Sequence, residues 1–311
     1  MKVAIVGGAG GIGSSVAFNL LLAGSEAAVA GGFDVVLVDP RADMVASHLM
    51  DLEQVLEQGV AGSVRDGDGR DLLDADVVVL SAGVPLTVNT SRMVYLDDNA
   101  AIVAESLDAL PDGWGGVAIL VTNPVDPLCT WALPRSRLAR ERLLGYTLND
   151  TLRLRTGIAH ALRVRPGSVE AWVIGEHGDG AVPLLDRVKV DGAPVRLTAG
   201  QREEAEAFLR DWYVRHVALD SGRSSTWTSG LGITRMIRAI ASDSGELFPA
   251  SILLCGEYGV DGVCLSVPVS VGATGARRIH EWELSSAEQA ALDASAELVR
   301  GAAAGIAGVS A

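Results

Sequence analysis

The sequence predicts an α/β protein: a doubly wound parallel sheet over residues 1–146, followed by an α+β domain over residues 147–311. Three observations carry this expectation. Four unbroken apolar runs, Val3–Val6, Val35–Val38, Val77–Leu80 and Val117–Val121, fall in the first half. Strands buried on both faces of a parallel sheet have this continuous pattern. Each run is followed by Gly, Asp, Ser or Asn, which turn a chain or cap a helix, and helical stretches separate the runs. Such a βαβ series builds an open parallel sheet. The rhythm changes near Gly145–Asn149, where the domain junction is placed.

The first strand runs into a glycine loop, and the third apolar run leads through Ala82–Arg92 to a helix over Arg92–Leu107. Beyond the junction, Ala171–Ile174 reads as a strand ending in a polar loop. Val182–Val190 and Gly192–Leu197 read as paired strands about an Asp191-Gly192 turn. Gln201–Asp220 is expected as a charged amphipathic helix and Thr228–Ala241 as a helix rich in small residues. Ser251–Leu254 and Val263–Val271 follow as strands. Ser285–Ala304 closes the chain as a helix, with Ser285 as N-cap and Glu288 completing a capping box.

Composition narrows the function. Apolar residues make up 49%, enough for a full core. The formal net charge of -14 argues against binding nucleic-acid phosphates by bulk electrostatics. It permits a small anionic substrate, because a pocket can be locally basic in an acidic protein. The three cysteines, Cys129, Cys255 and Cys264, lack a C-x-x-C spacing, so neither a disulfide framework nor a metal site is expected. A reducing, cytoplasmic compartment follows. No signal peptide and no membrane span are expected.

Gly7, Gly10 and Gly13 lie in VGGAGGIG, directly after the first strand. One glycine permits the tight turn, one lets backbone approach a pyrophosphate, and one lets helix and strand pack closely. The pyrophosphate would rest at a helix N-terminus. Asp39 ends the next strand, VVLVD, where a carboxylate meets the adenosine ribose and repels a 2′-phosphate. This favours NAD over NADP, with Arg41 close enough to soften the preference. A flexible glycine turn and a plain strand-end aspartate are the bland alternatives.

Four further segments offer acid–base and anion-binding groups. His177, between glycines at a strand end, has the natural pKa for proton exchange near neutrality. Asp150 and Arg153 share a helix face at i, i+3. Asp150 can orient His177, and Arg153 can clamp a carboxylate through its fork; a surface ion pair is the plainer reading. Arg92 ends the Ala82–Arg92 loop, whose length suits a lid that brings the guanidinium to a carbonyl. Asn123, in TNPVD at another strand end, can bond a substrate oxygen or the nicotinamide ribose.

Together these segments resemble the lactate/malate dehydrogenase family over nearly the whole chain. The resemblance is carried by VGGAGGIG, VLVD, SAGVP with SR, TNPVD, Asp150-x-x-Arg153, GEHGD and SVPVSVGATG. It implies a Rossmann domain with a substrate domain, NAD as cofactor and a homodimer or homotetramer. It implies His177 as the general acid/base, Asp150 as its orienting carboxylate, Arg153 as the carboxylate clamp and Arg92 as the carbonyl-polarising arginine. Contacts to the cofactor are implied at Gly7, Gly10, Ile12, Gly13, Asp39, Ala82, Gly83, Asn99 and Asn123. Substrate contacts are implied at Arg153, Asn123, Arg92, Leu86 and Ser225.

The departures bear on substrate. Malate enzymes carry arginine six positions before the lid arginine, and many lactate enzymes carry glutamine; here that position is Leu86. Leucine cannot pair with a second carboxylate, and an unpaired desolvated carboxylate costs several kcal/mol. A 2-oxo acid with a neutral side chain is therefore expected, as in the hydroxyisocaproate branch. Pro85 and Asn89 also depart from the usual lid, and the SGRSSTWTSG spacing leaves the far pocket wall unassigned between Arg223 and Thr226. Two alternatives stay open: a malate dehydrogenase with a displaced arginine, for which Arg223 is the candidate, and a non-catalytic NAD-binding regulator.

Overall fold

The structure is a computed structural model that describes residues 1–25, 31–84 and 92–306, Arg92 by its backbone alone. Leu86, Pro85 and Asn89 lie outside the described residues.

The first half alternates strands and helices in chain order: β1 (Lys2–Val6), α1 (Gly11–Gly24), β2 (Phe33–Val38), α2 (Ala42–Leu56), β3 (Gly62–Gly67), β4 (Val77–Leu80), α3 (Leu96–Asp108), β5 (Val117–Leu120), α4 (Val125–Ala132) and β6 (Leu143–Tyr146). The apolar runs seen in the sequence are the central strands. Every residue of β4 and β5 is buried. Val3 lies opposite Val35 on one side and Val77 on the other, all in parallel register. β-branched side chains suit this pleated, doubly covered surface.

The strand order is β3-β2-β1-β4-β5-β6. It reverses between β1 and β4, and a ligand crevice opens beyond the strand ends at such a reversal. Both glycine loop and lid base leave the sheet there.

The second half contains α5 (Leu148–Leu162), β7 (Val169–Glu170), β8 (Val173–Gly175), β9 (Ala181–Pro183), β10 (Lys189–Val190), β11 (Ala193–Pro194), α6 (Ala199–Ala218), α7 (Thr226–Ala241), β12 (Glu246–Cys255), β13 (Asp261–Gly272), β14 (Gly275–Ile279) and α8 (Ser286–Gly305). β12 pairs antiparallel with β6, placing Ala250 opposite Tyr146. The antiparallel strands β12, β13, β8 and β9 thereby extend the parallel sheet without a break. This continuity fixes β8, and the residues that follow it, relative to the first half.

Several expectations change in detail. The long strands expected over Val182–Val190 and Gly192–Leu197 are short. Leu184 and Leu185 are both buried, which breaks a period of two, and a 3-10 turn forms at Leu185–Arg187. A two-residue hairpin survives about Asp191 (φ 48°) and Gly192 (φ 80°), the left-handed pair that a tight hairpin turn demands. The helix expected from Arg92 opens as a 3-10 turn, Arg92–Tyr95, before α3. The strand expected over Ala171–Ile174 is shifted to β8, and β12 is longer than Ser251–Leu254. The α6 segment is helical but not amphipathic toward the core: Ala205 alone is fully buried. α8 starts as expected, Ser285 Oγ accepting from the Glu288 N–H at 3.3 Å and Glu288 Oε2 from the Ser285 N–H at 2.8 Å. Among the described residues, no helix is long and apolar enough to cross a membrane.

Candidate active site

The glycine loop is shaped by steric need. Gly7 has φ 83°, and a Cβ there would lie 2.5 Å from the Ala82 nitrogen. A side chain at Gly13 would collide with the Gly7 carbonyl oxygen. Gly10 is the N-cap of α1 and carries no capping side chain, so the first turn presents N–H groups to the crevice. Ile12 is half-buried against the core.

Across the crevice, Ala82 and Gly83 follow β4. Thr122 Oγ1 donates to the Ala82 carbonyl at 2.6 Å. Asn99 Oδ1 accepts from the Val84 N–H at 2.9 Å, and its Nδ2 donates to the Asn123 carbonyl at 2.7 Å. Asn99 thus ties the lid base to the loop after β5. Asn123 keeps a buried side-chain oxygen with no hydrogen-bond partner among the described residues, as suits a position that bonds a bound molecule.

Asp39 closes the other end. Its carboxylate accepts from the Ala9 N–H at 3.1 Å and from the backbone and guanidinium of Arg41 at 2.9–3.0 Å. Burial opposes its charge, but the Arg41 and Ala9 hydrogen bonds outweigh it and hold the carboxyl below the usual range.

His177 stands just beyond the end of β8. Gly175 has φ 87°, and the chain then turns through buried Glu176 and His177. His177 Nδ1 contacts Asp150 Oδ2. The other Asp150 oxygen accepts from Arg153 Nη1 at 2.8 Å. One carboxylate therefore holds an imidazole and a guanidinium together, all three buried. This excludes the surface ion-pair reading of Asp150 and Arg153. Arg153 Nη2 also donates to Ser225 Oγ at 3.2 Å, and its guanidinium lies 3.8 Å from the ring centre of Trp212.

Beneath this cluster, fully buried Asp126 accepts from the His177 backbone N–H at 2.6 Å. Burial and the nearby Glu176 carboxylate push its pKa up to about 8. A cavity of about 560 Å³ opens beside the cluster. His177, Asp150 and Arg153 line one side. Met93, Leu209, Tyr213, Val214 and Leu298 supply apolar lining, with the charged Glu206 and Arg210 among them.

Residues 1–145 match the family described as lactate/malate dehydrogenase, NAD binding domain, and residues 147–304 the lactate/malate dehydrogenase, alpha/beta C-terminal domain. The chain belongs to the lactate/malate dehydrogenase family. A malate dehydrogenase of Halobacterium salinarum is 32% identical over 300 residues, covering 95% of this chain and 96% of that protein. An L-lactate dehydrogenase of Allorhizobium ampelinum is 34% identical over 316 residues, covering 96% and 97%. The solved malate dehydrogenase of Cryptosporidium parvum superposes with a TM-score of 0.88 at 27% identity, covering 97% of this chain and 98% of that one.

The protein is thus an NAD-dependent 2-hydroxy acid dehydrogenase, and its crevice fits the cofactor. The glycine cradle excludes side chains, the helix start offers N–H donors, and Asn123 keeps a buried oxygen with no hydrogen-bond partner among the described residues. Of the expected site residues, the fold of this dehydrogenase brings His177, Asp150, Arg153 and Ser225 together. The Arg92 side chain and Leu86 lie outside what is described. Arg223 does not enter the cavity: its guanidinium lies 5.3 Å from the Trp227 ring centre, and its carbonyl meets His216 Nε2 at 2.8 Å. Sequence reasoning missed Asp126, Trp212 and the α6 wall. The signal for the wall was the spacing of Glu206, Leu209, Arg210, Tyr213 and Val214, one helix face of mixed polarity.

Proposed function

We propose that this dehydrogenase interconverts a small L-2-hydroxy acid and its 2-oxo acid, with preference for a neutral side chain. One observation carries the reading: the His177–Asp150–Arg153 cluster opens onto a cavity whose lining includes the apolar side chains of Met93, Leu209, Val214 and Leu298. NAD, when bound, supplies the hydride chemistry. His177 exchanges the proton with the substrate oxygen, while Asp150 fixes the ring and stabilises its charged form. Arg153, held by Asp150 and Ser225, grips the substrate carboxylate. Arg92 polarises the carbonyl, Asn123 bonds the substrate oxygen or nicotinamide ribose, and Leu86 meets the variable group. Gly7, Gly10, Ile12, Gly13, Asp39, Ala82, Gly83 and Asn99 form the cofactor's bed, within a domain spanning 1–146 that precedes a substrate domain spanning 147–311.

A second reading has its own support. Arg210 lines the same cavity and would pair with the second carboxylate of oxaloacetate. Steady-state rates with pyruvate, 2-oxoisocaproate and oxaloacetate separate the two. The expected outcome is higher kcat/KM for a monocarboxylate; oxaloacetate faster by orders of magnitude would install Arg210 instead. The companion variant His177→Asn is expected to lower kcat by about 10²–10⁴ while NADH still binds. Unchanged kcat would move the proton to another group.

We further propose a homodimer or homotetramer, in keeping with the apolar side chains left exposed on α1 and α7, and a cytoplasmic location, in keeping with three free thiols.

A further inference from the structure

The ribose end of the crevice does not present a free carboxylate. Asp39 Oδ1 accepts from the Arg41 backbone N–H and Nε; Oδ2 accepts from the Ala9 N–H and Arg41 Nη2. A carboxylate offers about four acceptor positions, and all four are taken. The Asp39 side chain is 3% exposed, whereas that of Arg41 is 57% exposed. The guanidinium also leans toward the glycine loop, Arg41 Nη2 lying 3.9 Å from where a Cβ on Gly10 would stand. What faces an incoming adenosine ribose is therefore a cation.

A ribose diol reaches Asp39 by displacing two guanidinium donors. A ribose 2′-phosphate needs no such displacement. It meets the outer edge of a planar fork that suits phosphate oxygens, and the Asp39–Arg41 pair is neutral in sum, so the repulsion expected from a lone aspartate is cancelled. We propose that Arg41 is an anion-binding group over the ribose site, through which the enzyme accepts the 2′-phosphorylated cofactor as well as NAD. The proposal rests on the cofactor site described above.

Titration calorimetry with 5′-AMP and 2′,5′-ADP tests this without turnover, on wild type and Arg41→Ala. Wild type is expected to bind 2′,5′-ADP at least as tightly as AMP. In Arg41→Ala the ratio of Kd for 2′,5′-ADP to Kd for AMP is expected to rise at least about tenfold, the size of one lost charged hydrogen bond. The kcat/KM ratio of NADPH to NADH is expected to fall by a similar factor. A wild-type preference for AMP beyond about a hundredfold, or a Kd ratio unchanged by the substitution, overturns the role of Arg41 and leaves the NAD site standing. Failure of both nucleotides to bind would overturn the site itself, and the proposal with it.

Discussion

Asp126 shows how a single buried acid sets the terms for its neighbours. It has no access to solvent, one oxygen accepts the His177 N–H, and the other has no hydrogen-bond partner among the described residues. With its pKa raised to about 8 by burial and by Glu176, the folded protein holds a proton there that an unfolded carboxyl, at about 4, has released. The sign follows from linkage. The stability this group contributes is full below about pH 4 and is lost as pH rises through about 8. Asp126→Asn keeps an acceptor for the His177 N–H and removes the titration. Thermal unfolding of the two proteins from pH 5 to 9 is expected to show wild type losing ground to the variant as pH rises. Parallel curves would mean that Asp126 does not titrate in this window. His177, Asp150 and Arg153 were legible in the sequence because each stands in a short motif at a strand end or on one helix turn. Asp126 sat in the quoted TNPVD motif but gave no sign of its role, because its role is a contact with a backbone N–H far along the chain.

At the scale of elements, α6 is the least expected part. Its sequence suggested a charged amphipathic helix; in the fold its Leu209, Tyr213 and Val214, with Glu206 and Arg210, line the cavity. It packs on α5, where Gly157 lets Ala205 and Phe208 come close. That packing brings Trp212 onto the guanidinium of Arg153, and His216 stacks behind the indole at 4.8 Å between ring centres. A cation–π contact contributes about 0.5–1 kcal/mol when exposed and about 2 kcal/mol when desolvated. Trp212→Leu is therefore expected to raise KM for the 2-oxo acid by a few-fold to about thirtyfold, with kcat and NADH affinity little changed. Trp212→Phe should recover part of the loss. A KM equal to wild type would assign the orientation of Arg153 to Asp150 and Ser225 alone.

Over the whole molecule, one sheet joins the nucleotide crevice to the loop that carries His177. β6 and β12 are the seam, and Gly145 is required there because a Cβ would press on Ser251 and Val125. The outer surface carries a second feature of this scale. Phe18 and Leu22 on α1, and Trp227 and Leu231 on α7, are exposed on two helices packed against each other. Trp227 is 71% exposed and Leu231 63% exposed, which is costly for a free surface and suited to a second copy of the chain. If the proposed oligomer uses this face, Trp227→Glu with Leu231→Glu is expected to shift the sedimentation coefficient toward the monomer with the fold retained. An unchanged oligomer would place the subunit contact on another face.

By itself the sequence determined the doubly wound sheet, the glycine loop and the family, and it named the imidazole, carboxylate and guanidinium that the fold gathers. Those depend on period, turn chemistry and motif, all local along the chain. Tertiary structure alone decided which groups meet across distance: Asp126 under His177, and Trp212 over Arg153. Hydrogen bonds and stacking act over a few ångströms in space, and no pattern of neighbours along the chain encodes which distant side chains will come within that range.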